Sequence, residues 1–197
     1  MTSTPLHTGT LAVLLAAGGG TRFTGSSHKL LATVAGRPVW RWSLDAAIES
    51  GIGSVAVVTG CAELPLPDGV ESLHNPRWSD GLAGSLQIAV RHAREVGVGS
   101  VVVGLGDQPC IGADAWRRVA NAAADLAVAT YDGARGNPVR IAAAMWRSLP
   151  VDGDEGARGL LRARPDLVAE VPCFGSPVDV DTAEDLARVE RLLIAGP

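Results

Sequence analysis

Residues 15–29 read Leu-Ala-Ala-Gly-Gly-Gly-Thr-Arg-Phe-Thr-Gly-Ser-Ser-His-Lys, a glycine-rich stretch that carries two cations, Arg22 and Lys29. Glycines let backbone N–H groups come close to phosphate oxygens. The cations suit a triphosphate, because a guanidinium grips two oxygens and an ammonium neutralises charge growing on a leaving pyrophosphate. Lys29 is the one lysine among 17 basic residues. That bias reflects either chance usage or a need for a compact ammonium, rather than a planar fork, at that position. A flexible surface loop carrying two solvated cations is the competing reading of the whole stretch.

Carboxylates that could hold a cation beside such a loop lie far along the chain. Leu105-Gly-Asp107-Gln-Pro109 closes a strongly apolar run with Asp107, the best Mg²⁺ ligand in the sequence. Mg²⁺ takes one or two carboxylates plus substrate phosphates and keeps several waters, so it needs no dedicated cage. Val178-Asp-Val-Asp181-Thr182 offers a second carboxylate, with Asp179 and Asp181 alternating against Val178 and Val180. Asp181 before Thr-Ala-Glu-Asp is equally a helix cap.

Residues 75–86, Asn-Pro-Arg-Trp-Ser-Asp-Gly-Leu-Ala-Gly-Ser-Leu, place Asn75, Gly81 and Ser85 around an expected helix start. Their amides and hydroxyl could read a base or ribose; a capped helix anchored by Trp78 is the alternative. Asp154-Glu-Gly-Ala-Arg158-Gly159 is a mixed-charge turn able to hold a second, anionic substrate, or simply solvated. The four histidines show no metal-ligand spacing, and the sequence gives His28 no role beyond neighbouring Lys29.

Two phosphate-binding templates fail. A P-loop needs Lys and then Ser or Thr after its last glycine, but Gly25 is followed by Ser26-Ser27. The dinucleotide fingerprint needs a glycine where Phe23 stands. No acidic residue closes the second expected strand, where Thr59-Gly60 stands, which also disfavours a nicotinamide oxidoreductase.

The elements that must position these groups alternate short apolar runs with segments of helical period, the pattern of βαβ units around a buried, mainly parallel sheet. Strands are expected at residues 11–15, 54–59, 70–73, 100–105, 126–130, 139–141 and 167–171. Helices are expected at 38–50, 81–96, 112–125, 154–163 and 183–194. Residues 132–136 are turn-prone, so the two strands beside them could pair as a hairpin. A stripe of Leu82, Leu86, Ala89, Val90 and Ala93 marks the buried face of the 81–96 helix. Glycine-rich loops at the carboxyl ends of such strands are where α/β sheets bind ligands.

The chain has 197 residues, 47% of them hydrophobic and 19% charged, with a formal net charge of −4. Mean hydropathy is +0.20. A single folded domain over residues 1–197 is expected, not disorder. No basic field exists for nucleic acid or an anionic membrane. The apolar run at residues 11–17 is far short of the ~20 needed to span a bilayer, and its flanks do not suit a secretion signal. Cys61, Cys110 and Cys173 form an odd set with no C-x-x-C pair, which fits a reducing compartment, so the expected location is cytoplasmic.

In this order the motifs resemble the MobA-like NTP transferases, more closely the molybdenum cofactor cytidylyltransferases than the guanylyltransferases. The resemblance is carried by Leu-Ala-Ala-Gly-Gly-Gly-Thr-Arg-Phe with His-Lys-Leu-Leu, by Asn-Pro-Arg-Trp-Ser-Asp-Gly-Leu-Ala-Gly-Ser-Leu, and by Gly-Asp-Gln-Pro at 106–109. It continues through Gly-Asn-Pro-Val at 136–139, Asp-Glu-Gly-Ala-Arg-Gly-Leu-Leu at 154–161 and Asp-Val-Asp-Thr-Ala-Glu-Asp-Leu at 179–186. It implies a three-layer, Rossmann-like fold of the nucleotide-diphospho-sugar transferase type. It also implies attack of the molybdopterin terminal phosphate on the α-phosphate of an NTP, with release of pyrophosphate. By that resemblance Leu15, Ala16, Ala17, Gly18, Gly20, Arg22, Lys29, Asn75, Gly81, Ser85 and Asp107 contact the nucleotide. Arg22, Lys29 and Asp107 carry catalysis, Asp107 and Asp181 hold Mg²⁺, and Asn137, Gly156 and Arg158 meet the acceptor. Ala16-Ala17-Gly18 follows the family's cytidine-preferring pattern, favouring CTP, although one methyl is worth only about 1–3 kcal/mol of discrimination. The loop between Arg22 and Lys29 looks about two residues longer than the family's, a cheap insertion in closure entropy.

The competing readings are a GTP-using or other small-phosphate nucleotidyltransferase, and a non-catalytic nucleotide- or pterin-binding maturation partner of a molybdoenzyme. The first differs only in substrate. The second predicts binding without pyrophosphate release.

Overall fold

The computed structural model describes residues 9–21, 23 and 28–195. The elements run β1 (Thr10–Ala16), β2 (Thr33–Val34), β3 (Arg37–Pro38), α1 (Val39–Ser50), β4 (Ser54–Thr59), β5 (Val70–His74), α2 (Leu82–Glu95), β6 (Ser100–Leu105), α3 (Ala113–Ala120), β7 (Leu126–Tyr131), β8 (Ala134–Ala142), α4 (Ala157–Ala163), β9 (Val168–Pro172) and α5 (Ala183–Ala195). Seven strands form one sheet in the order β5-β4-β1-β6-β8-β7-β9, and β2 pairs with β3 separately. All neighbouring pairs in the large sheet are parallel except the two that β8 makes, with β6 and with β7. The fold is the mainly parallel, three-layer α/β architecture that the sequence pattern implies.

Strand alternation divides the core into two layers. On β1, Leu11, Val13 and Leu15 face the Leu86, Ala89, Val90 and Ala93 stripe of α2. Ala12, Leu14 and Ala16 face Trp40, Leu44 and Ala47 of α1 and Ala115, Trp116 and Val119 of α3. Both faces of β1 are covered, so its run is apolar throughout, as a central parallel strand requires. From β1 the chain moves outward to β4 and β5, then returns to place β6 on the other side of β1. This reversal opens a crevice at the carboxyl ends of β1 and β6.

The largest departures from the sequence reading have local reasons. The turn expected at 132–136 contracts to Asp132-Gly133, whose φ values of +50° and +82° make a two-residue hairpin turn. Strand β8 therefore starts at Ala134, and a bulge opposite Val128/Ala129 absorbs the irregularity. The helix expected at 112–125 ends at Ala120, and Asp125 instead accepts the Ala142 N–H as the chain enters β7. The helix expected at 154–163 begins only at Ala157, after Gly156 turns the chain at φ +52°. The small β2–β3 hairpin was not foreseen; Ala35 and Gly36 both take positive φ in a turn with little sequence signal. Among the described residues no helix is long and apolar enough to cross a membrane.

Candidate functional site

The crevice between β1 and β6 becomes a cleft of about 770 Å³. Leu15, Ala16, Ala17, Gly18, Gly20 and Lys29 line one side of it, Gly81 and Ser85 another, and Asp107, Asp181 and Arg158 the rest. Arg22 lies outside the described residues. Asn75 does not line the cleft. It is 3% exposed, accepts the Arg77 N–H on its carbonyl and donates its amide to Ser85 Oγ at 3.0 Å. These bonds hold Ser85 and the start of α2. A second, smaller cleft of about 420 Å³ is lined by Gln108, Asn137, Asp179, Arg135, Arg158 and Arg162 among others. A narrow apolar neck lined by Leu15, Leu105, Asn137, Gly156 and Arg158 lies between the two. The structure thus gathers Asn137, Gly156 and Arg158 at one place, and Arg158 belongs to both clefts.

Glycines in the loop after β1 serve close approach. A Cβ on Gly19 would sit 2.5 Å from Trp78 Cζ3, so the indole packs directly on the loop backbone. Gly20 has φ +60°, and a Cβ there would lie 3.0 Å from Lys29 Cγ. Gly81 has a different duty, since its Cβ would meet the Gly153 carbonyl oxygen at 2.6 Å; its bareness lets the 153–154 turn close over α2. The methyl of Ala17 packs toward Gly60 and that of Ala16 toward Gly106. Both side chains shape the cleft floor.

The chemistry-bearing groups meet at Lys29. Its Nζ donates to Asp107 Oδ2 at 2.6 Å and to Asp181 Oδ1 at 2.8 Å, with the Lys29, Asp107 and Asp181 side chains 12%, 19% and 24% exposed. Burial pulls the ammonium pKa down, but the Asp107 and Asp181 carboxylates overcome it and leave it raised. Three elements enforce this meeting. Asp107 follows β6 through Gly106, whose N–H donates to the Leu15 carbonyl. Asp181 is held by the Val180 N–H, which donates to the Asp107 carbonyl at 2.9 Å. Val180 is fully buried against Val34, Val39 and Val189, so alternation turns Asp179 and Asp181 the other way. The helix cap expected of Asp181 belongs to Thr182 instead. Thr182 Oγ1 accepts the Asp185 N–H, and Asp185 Oδ2 accepts the N–H groups of Asp181 and Thr182, a reciprocal capping box.

Two contributors were invisible in the sequence. His28 Nδ1 accepts the Leu30 N–H, which leaves Nε2 as the protonated nitrogen donating to the Gly18 carbonyl at 2.9 Å. The imidazole therefore fastens the Lys29 turn to the glycine loop. Gln108 is 5% exposed; its amide nitrogen donates to Asp179 Oδ1 at 2.8 Å and the Pro177 carbonyl, and its oxygen accepts from Asn137 Nδ2 at 3.0 Å. Asp179, close to Asp107 and Asp181, has its carboxyl pKa pushed up, first by partial desolvation and then by those two charges. The Gly-Asp-Gln-Pro motif carries Gln108 in plain view, but its duty depends on the third chain segment it meets.

Asp107 and Asp181 fit a divalent cation such as Mg²⁺: one from each segment, with hard oxygens that already reach a common point. Among the described residues no cluster of three or more His, Cys, Asp or Glu side chains converges. A two-carboxylate set suits an ion that completes its shell with phosphate oxygens and water.

Known proteins place this arrangement. The purine catabolism protein PucB of Bacillus subtilis is 30% identical over 93% of this chain and 97% of its own. The nicotine blue oxidoreductase of Paenarthrobacter nicotinovorans is 30% identical over 95% of this chain and 98% of its own. Among solved structures, Rv0371c of Mycobacterium tuberculosis superposes with a TM-score of 0.81 at 25% identity, covering 94% of this chain and 98% of that one. Its complex with manganese superposes at 0.78, also at 25% identity, covering 93% and 99%. The model of the MobA-like NTP transferase domain matches residues 12–168, a stretch that holds the glycine loop, Lys29, Asp107 and Arg158. The chain belongs to the MobA-like NTP transferase family, and is a nucleotidyltransferase of that family.

Proposed function

We propose that the protein transfers CMP from CTP to the terminal phosphate of molybdopterin, releasing pyrophosphate, with Mg²⁺ as the metal. The observation that carries this reading is the pair of joined clefts, with Asp107, Asp181 and Lys29 in one and Arg158 shared by both. One cleft suits a nucleotide and the other a second, anionic substrate, and two substrates meeting on either side of Arg158 fit group transfer rather than simple binding. Rv0371c, a structural neighbour, has been crystallised with manganese, which supports a divalent ion here.

In this reading an acceptor phosphate oxygen attacks the α-phosphorus, the bond to the β-phosphate oxygen breaks, and pyrophosphate leaves with its charge intact. Asp107 and Asp181 would hold the ion, which would supply charge neutralisation and alignment of the phosphates. Loop backbone from Gly18 to Gly20 cradles phosphate oxygens, and Lys29 neutralises the leaving group. Arg158 holds the acceptor phosphate at the neck. No covalent nucleophile is required, so the protein acts by positioning and electrostatics.

The test is pyrophosphate release from CTP and from GTP with molybdopterin as acceptor. Release with CTP above GTP supports the cytidylyl reading. Release with GTP alone moves the proposal to a guanylyltransferase. Nucleotide binding without release favours a maturation partner of a molybdoenzyme.

A further inference from the structure

The ammonium of Lys29 occupies the one point on which Asp107 and Asp181 converge, at 2.6 and 2.8 Å. A divalent cation bound by the same oxygens has to take that point. Two cations a few ångströms apart in a partly buried site repel by several times thermal energy, so both cannot stay.

The geometry also gives the ammonium somewhere to go. Lys29 lines the nucleotide cleft together with Gly18, Gly19 and Gly20, and its stem runs over Gly20, where an added Cβ would lie 3.0 Å from Cγ and 3.4 Å from Cδ. His28 fixes the turn behind it through Leu30 N–H and the Gly18 carbonyl. Rotation about the last stem bonds therefore carries Nζ from the carboxylates to the phosphate loop without moving the backbone.

We infer that Lys29 is a resident counter-ion as well as a phosphate ligand: before nucleotide arrives it neutralises Asp107 and Asp181, which the main chain already holds together, and its transfer to the incoming phosphates opens the carboxylate pair to the divalent ion. This rests on the metal role proposed above for Asp107 and Asp181. With Lys29 in place the trio carries one net negative charge; without it, two. The ion alone is thus held weakly, and polyphosphate and ion favour each other's binding, a coupling that is reciprocal by linkage.

The experiment is Mn²⁺ binding to the full chain, followed by electron paramagnetic resonance, for the wild type, Lys29→Met and Asp107→Asn, with and without inorganic tripolyphosphate. The expected result is that Lys29→Met binds Mn²⁺ about tenfold or more tightly than wild type without tripolyphosphate. Tripolyphosphate then tightens Mn²⁺ binding to the wild type far more than to Lys29→Met. A purely structural lysine predicts the opposite sign, because its loss would scatter the two carboxylates. Unchanged or weaker Mn²⁺ binding by Lys29→Met, with binding lost in Asp107→Asn, overturns the exchange while leaving the metal site standing. Wild-type affinity retained in Asp107→Asn overturns the metal reading itself, and the exchange with it. If Lys29→Met does not fold, Lys29→Gln, which keeps an N–H donor without the charge, gives the same comparison.

Discussion

The N–H of Val180 donates to the carbonyl of Asp107 at 2.9 Å, and through this bond a segment near the end of the chain is laid beside the end of β6. Because Val180 is fully buried, its neighbours Asp179 and Asp181 turn toward the clefts, one toward each. Asp107 and Asp181 thus come together through main-chain geometry, with Lys29 bridging the carboxylates that result.

Replacing Asp107 with alanine should lower pyrophosphate release on the order of a thousandfold, since it removes one of the two carboxylates that would hold the divalent ion against the reacting phosphates. The side chain is at the cleft and outside the core, so circular dichroism should remain that of the wild type. Full activity with a normal fold would end the assignment of Asp107.

Ligand stabilisation checks the nucleotide directly. At a hundredfold excess over its Kd, a nucleotide with Mg²⁺ should add about 2.7 kcal/mol, a rise in Tm of roughly 5–10 °C for a chain of this size. The rise is expected with CTP above GTP and should vanish in Asp107→Ala. A rise with NAD instead would redirect attention to redox chemistry.

Thr182 and Asp181 separate structure from function at adjacent positions. Thr182→Ala removes the capping box of α5 and should cost about 1 kcal/mol, roughly 2–4 °C in Tm, with activity retained. Asp181→Ala should leave the cap in place and depress turnover. Equal effects of the two on both readouts would contradict the division.

Asp179 offers a prediction of sign. Its carboxyl pKa is raised above the unfolded value, first by desolvation and then by Asp107 and Asp181. The folded chain therefore binds its proton more tightly, and this contribution is present at low pH and lost as pH rises through the folded pKa. Ionised Asp179 is a cost at neutral pH. Asp179→Asn, whose carbonyl still accepts from Gln108, should raise Tm at pH 7 and gain little at pH 4.

Burial pushes the Cys110 thiol up to about 11. At pH 8 it is almost wholly protonated and should resist iodoacetamide, while exposed Cys61 is alkylated first. Mass spectrometry of the native protein after brief treatment reads the order, and faster labelling of Cys110 would show a thiol activated by its surroundings.

The sheet was legible in the sequence because its strands are continuous apolar runs: residues 54–59 and 100–105 coincide with β4 and β6. Helix ends were less legible where apolar or charged residues run on past the true end or ahead of the true start, as beyond Asn121 and before Gly156. The glycine loop and Asp107 announced themselves by type and by position at strand ends. The hold of Asn75 on Ser85 was not legible, since an amide that could read a base can equally satisfy a backbone N–H and a serine. His28 and Gln108 escaped because their partners, Gly18, Asp179 and Asn137, are joined to them only by folding.

The shared position of Arg158 bears on how turnover should look in the steady state. Two clefts with one common wall, each bordered by its own loops, do not require either substrate to precede the other. Under the proposed reaction, double-reciprocal plots at varied nucleotide and acceptor should intersect rather than run parallel. A dead-end analogue of either substrate should compete with its own counterpart and act as a mixed inhibitor toward the other.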